Sequence, residues 1–116
     1  MKTRTQLALL VSLSALFVLP ASARIVIGEG NVSCRAWTKE RQSNSVRSRL
    51  QETWLLGYVT GYSWGDKSRP DFLFAANIDG MFKWVDEYCR LNPQNDLVNA
   101  ADELVGVLLK KAETPL

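Results

Sequence analysis

Histidine is missing from this chain altogether, and cysteine occurs only twice. Without histidine the usual general base near neutral pH and the commonest metal ligand are both gone. No apolar run approaches the ~20 residues of a membrane-spanning helix. No segment alternates apolar and polar residues with period two, so strands are not expected. No calcium-loop spacing is present either. These absences leave no expected catalytic residue, metal or cofactor.

What is present begins with an export pattern. A basic start (Lys2, Arg4) precedes an apolar run from Leu7 to Leu19 and the A-x-A-like Pro20-Ala21-Ser22-Ala23. Residues 1–23 therefore read as a signal peptide cleaved after Ala23. Loss of Lys2 and Arg4 brings the 14 basic residues level with the 12 acidic ones. The mature chain is formally neutral, and a nucleic-acid partner, which needs a clustered basic excess, is not expected. Both cysteines, Cys34 and Cys89, survive cleavage. In an oxidising compartment two thiols in so small a domain most simply form one disulfide. Cys34 lies too far beyond the apolar run to serve as a lipid anchor, so no membrane anchor is expected.

Residues 24–32 are glycine-rich and read as a flexible leader, followed by a single helical domain over 33–116. Ser33 is a suitable N-cap for a short first helix holding Cys34 and Trp37. Ser45 can cap a second helix over about 46–63. On this helix Val46, Leu50, Trp54, Gly57 and Gly61 share one face, and Leu55, Tyr58, Val59 and Tyr62 cover much of the other. Two glycines inside a helix cost about 1 kcal/mol each. A close helix–helix contact at Gly57 and Gly61 would offset that cost, so the pair is expected to be a packing seam. The membrane form of this small-residue motif does not suit a face with Arg47, Arg49 and Glu52 one turn away.

A loop over 64–71 leads through Phe72-Leu73-Phe74 to a third helix, about 77–90, whose apolar stripe is Ile78, Met81, Phe82, Val85 and Cys89. Asp79, Lys83, Asp86, Glu87 and Arg90 oppose that stripe. A fourth helix runs from the cap Asp96 to about Lys111, with Leu97, Ala101, Leu104, Val105 and Leu108 inward. The expected architecture is all-α, a small four-helix bundle with one disulfide. Asp66, Asp71, Asp79 and Asp86 offer carboxylates for acid–base work, but exposed positions read as solvated charges. The aromatics are more informative. Trp37, Trp54 and Trp84 sit at helical core spacing. Trp64, Phe72 and Phe74 flank a loop, where aromatics commonly anchor a protein partner.

The pattern Ser33-Cys34-x-x-Trp37, Trp54-Leu55-x-Gly57-Tyr58-x-x-Gly61-Tyr62, Ile78-Asp79, Tyr88-Cys89-Arg90-x-Asn92-Pro93, then Leu97 with Ala100-Ala101, resembles the small secreted bacterial proteins of the HdeA/HdeB-like group. That resemblance implies a periplasmic chaperone that loosens in acid and binds unfolded clients through apolar surface. The stretches Gly30-Asn31-Val32-Ser33-Cys34 and Gly57-Tyr58-x-x-Gly61, with the Asn92-Pro93 tail, are also similar to Rap1a/Tai immunity proteins. Those imply a folded dimer that neutralises one secreted toxin. A cell-envelope structural protein is the plainer alternative to both.

Overall fold

Local capping chemistry decides where each helix begins. The computed structural model describes residues 24–69, 71–74 and 76–114, and the expected signal peptide, residues 1–23, lies outside them. A single 3-10 turn, Glu29–Asn31, is followed by α1 (Cys34–Ser43), α2 (Val46–Gly65), α3 (Ile78–Leu91) and α4 (Leu97–Glu113). The side chains of Ser33, Ser45 and Asn77 accept from the backbone N–H of Ala36, Ser48 and Gly80, satisfying otherwise orphaned donors at the starts of α1, α2 and α3. At α4 the N–H of Asp96 donates to Asn99 Oδ1 at 2.9 Å. Between α1 and α2 the chain reverses at Asn44, which takes the left-handed conformation (φ 48°) that asparagine tolerates better than most residues.

The four helices enclose one core of Cys34, Trp37, Leu55, Val59, Phe72, Met81, Val85, Cys89, Leu97, Ala100, Ala101, Leu104, Val105 and Leu109. Cys34 and Cys89 are bonded, with S–S 2.05 Å and Cα–Cα 4.7 Å, tying the first residue of α1 to the last turns of α3. Beside this link the starts of α1 and α4 are stitched together. The N–H of Cys34 donates to Asn95 O at 2.7 Å, and the N–H of Leu97 donates to Val32 O at 2.8 Å. The resulting bridge between Ser33 and Asp96 is an isolated pair outside any strand.

The glycine-rich leader, expected to be flexible, makes specific contacts with α2. Ile25 and Ile27 are exposed, but Gly30 is buried and the turn is seated on α2. The Trp54 indole N–H donates to Ile27 O at 2.8 Å, and the guanidinium of Arg47 reaches Glu29 Oε2 at 3.4 Å. A Cβ added at Gly30 would stand 2.2 Å from Trp54 Cζ2, so only glycine lets the backbone lie against that ring.

Gly57 and Gly61 bring a correction. Both are exposed, and no atom lies within 4 Å of where a Cβ would stand on either. They form no seam inside this fold. The buried residues of α2 are Ser48, Gln51, Leu55 and Val59, so the face with Val46, Leu50 and the glycines turns to solvent.

Candidate functional site

The residues expected to bind a partner separate on folding. Phe72 is only 5% exposed and belongs to the core, which overturns its placement among the partner-binding aromatics. Its neighbour two residues on, Phe74, is 94% exposed. Trp64 is 76% exposed and stands in the last turn of α2, not in the loop after it. Ile78, placed on the buried stripe of α3 by its spacing, is about half exposed at the first residue of that helix.

An open apolar groove of about 290 Å³ lies at this end of the bundle. It runs between α2, the connecting segment and α3, and is lined by Leu56, Val59, Thr60, Leu73, Ala76, Ile78 and Met81. Leu73 directly precedes Phe74, and Thr60 is one helical turn before Trp64. The connecting segment is shaped by short polar contacts. Asp71 Oδ1 accepts from Leu73 N at 2.9 Å and from Ser63 Oγ at 3.1 Å, while Asp66 pairs with Arg69 at 2.9 Å. Hydrogen bonds from the Ser68 side chain and backbone, with help from Arg69, hold the Asp66 carboxyl below its ordinary value. Asp66 and Asp71 thus order the backbone that carries Phe74.

A separate polar cluster, which spacing does not reveal, binds three helices together. Arg41 of α1 donates to Asp86 of α3 through Nε (3.0 Å) and Nη2 (2.9 Å), and to Glu52 of α2 through Nη1 at 2.5 Å. The indole N–H of the buried Trp37 also donates to Asp86 Oδ1 at 2.8 Å. The guanidinium lies over the rings of Trp37 and Phe82, 5.6 and 5.3 Å from their centroids. Its hydrogen bond to Asp86 raises the Arg41 pKa above the ordinary value, against the opposing pull of burial. Asp86 is therefore a buttress for α1, not one of a row of solvated acids. With both carboxylates committed to one cation, the cluster is a clamp and offers no free acid–base pair.

Elsewhere, Tyr58 donates its phenolic O–H to Asp102 Oδ1 across α2 and α4. Partial burial, then that hydrogen bond, pushes the phenol up to about 12. Trp84 and Tyr88 stack on the flank of α3 with centroids 5.5 Å apart. Among the described residues no group of three or more Cys, Asp or Glu could hold a metal ion, and no helix is long and apolar enough to cross a membrane. In comparisons with protein-family models, with curated proteins and with solved structures, nothing matches this chain.

Proposed function

We propose that this chain is a non-enzymatic, exported protein of the periplasm that binds another protein at the Trp64–Phe74 end of its helical bundle. One observation carries the proposal. The folded chain keeps two large aromatics, Trp64 and Phe74, almost wholly in solvent beside an open apolar groove. Exposed aromatic anchors around an apolar depression are the usual makings of a binding hot spot. An interface present in the folded state suits the stoichiometric blocking of one toxin, the role implied by the Rap1a/Tai resemblance. The acid-stress chaperone of the HdeA/HdeB resemblance draws support from a different place. The contacts that hold α1 to α2 and α3 depend on charge, since Arg41 donates to the carboxylates of Glu52 and Asp86 and the Trp37 indole to that of Asp86.

The two roles part in one experiment on the oxidised mature protein. Rescue from any secreted toxin encoded beside this gene, and binding to it, are measured at neutral pH. Suppression of aggregation of an unrelated client is followed from neutral pH into strong acid. The immunity role expects neutral-pH rescue that Trp64→Ala with Phe74→Ala weakens at least tenfold, at an unchanged denaturation midpoint. Broad client protection that appears only in acid would instead establish the chaperone. Neither activity, or toxin binding indifferent to both aromatics, would remove the assignment of this end as the binding site.

A further inference from the structure

A second depression adjoins the apolar groove. It lies between the start of α3 and the last turns of α4, walled by Gly80, Trp84, Leu104, Leu108 and Lys111. The two share Ala76, just before α3, and Met81, near its beginning. They therefore flank the entry to that helix, the groove on its α2 side and the second depression on its α4 side. At about 290 and 200 Å³, each falls below the ~300–1,000 Å³ of small-molecule and cofactor sites. Each suits one inserted side chain.

The charge on their walls is one-sided. Among the described residues, Lys111 is the only charged one lining either depression. It is exposed, as is Lys110 beside it, and neither forms an ion pair among the described residues. The acids closest in sequence point elsewhere. Glu113 follows Lys111 by two residues, about 200° around α4. Asp79 precedes Met81 by two, again about 200° around α3, where it complements the positive end of the helix. A cation thus stands at the rim of an apolar hollow with no carboxylate to meet it.

We propose that the protein partner enters both depressions with one segment carrying two apolar side chains and an acidic residue. The apolar side chains seat on either side of the α3 entry, and the carboxylate meets Lys111. The inference rests on the partner-binding reading above and specifies the chemistry of what is bound. Ile78 and Val107, exposed in the free chain, lose contact with water when the segment is seated. The same seating excludes water from around Lys111, which strengthens its ion pair beyond that of an exposed one. A basic segment of equal hydrophobicity is rejected by the same charge, so Lys111 serves specificity as well as affinity. Trp64 and Phe74 stay free to anchor the rest of the partner.

Panning a random peptide library on the oxidised mature protein, then titrating the selected peptides, tests this. Enriched peptides should share two apolar residues with a nearby Asp or Glu, and should bind more weakly as salt rises. Lys111→Glu should weaken them at least tenfold with helix content retained. Panned afresh, that variant should select Lys or Arg in place of the acid. Ala76→Trp, in the wall common to both depressions, should weaken every such peptide. No enrichment, enrichment without an acidic preference, or peptides indifferent to Lys111→Glu overturns the proposal. Phosphatidylglycerol vesicles are the second probe, and binding to them in place of peptides assigns the cation to a lipid surface and overturns it equally. Peptides that need Trp64 and Phe74 but not Lys111 remove this inference alone and leave the binding end standing. Acidic peptides that need Lys111 but neither aromatic support it and remove the aromatic anchors instead.

Discussion

Replacing glycine by alanine should change stability in opposite directions at Gly30 and at Gly57 or Gly61. At Gly30 the new Cβ would lie 2.2 Å from Trp54 Cζ2, and 2.5 Å from Trp54 Cη2 and Val26 Cγ1. Carbon atoms settle about 3.5–4.0 Å apart, so the indole would have to retreat by more than an ångström. It is not free to do so. Its N–H holds Ile27 O, and its ring stacks on Tyr58 with centroids 5.3 Å apart. Overpacking of this kind costs about 1–3 kcal/mol. The cost has a ceiling, because the chain can lift its first residues off α2 and lose only what holds them there. Gly57 and Gly61 face open space, so alanine there brings only its helix propensity, a gain of about 1 kcal/mol at each site. For a domain of this size, 1 kcal/mol moves Tm by about 4–8 °C. Urea and thermal denaturation of the oxidised protein give both signs directly. Amide exchange over residues 24–32 then tells distortion from lifting off. Destabilisation by Gly57→Ala, or an unchanged midpoint for Gly30→Ala, would refute the packing described for α2.

Four further outcomes follow from the same contacts. Arg41→Ala should destabilise by about 2–3 kcal/mol, since charge-assisted hydrogen bonds in a partly buried site exceed the 0.2–1 kcal/mol of exposed pairs. Arg41→Lys should recover only part of this, and recovery in full would show that the forked geometry is irrelevant. Tyr58 should ionise at about 12, read by phenolate absorbance. A phenol raised in the folded state adds stability that is complete below its unfolded value near 10 and is lost as pH rises towards 12, and Tyr58→Phe should remove that slope. Gln51 is fully buried and its Oε1 has no partner among the described residues, so Gln51→Met should be neutral or stabilising by about 1 kcal/mol in urea titration. Reducing the disulfide, which closes a span of 55 residues, should lower stability by up to about 4 kcal/mol in a redox-controlled unfolding series.

Helix starts were legible because they are set by local chemistry. Ser33, Ser45 and Asp96 stand where the sequence puts them, and each helix ends within a few residues of its expected limit. The disulfide was legible from two thiols and an export pattern. The rotation of α2 was not. Apolar residues surround that helix, and two of its four buried positions are the polar Ser48 and Gln51, which hydropathy assigns to the outside. Ser48 is accommodated by a hydrogen bond to Glu52 at 3.2 Å, and Gln51 by a longer one to Glu29 at 3.5 Å. The seating of the leader was hidden for a related reason. It depends on an indole meeting a backbone carbonyl 27 residues away, which no periodicity encodes. At the candidate site, Phe72 and Phe74 share a short apolar run but face opposite environments, and only the fold of residues 71–74 decides which is buried.

The position of the covalent link also sets which part of the molecule can leave first. Cys89 precedes α4, so the closed loop encloses α1, α2 and nearly all of α3 but not the last helix. α4 is held by its apolar face, by Tyr58 and by the backbone contacts of its first turn with Val32 and Ser33. Opening those contacts would let a terminal segment swing away while the rest stays topologically confined, a sub-global unfolding unit in its own right. Its departure would uncover Leu97, Ala101, Leu104 and Val105 together with the core surface they cover. The chain would then expose a long apolar strip at its carboxyl end without becoming a random coil.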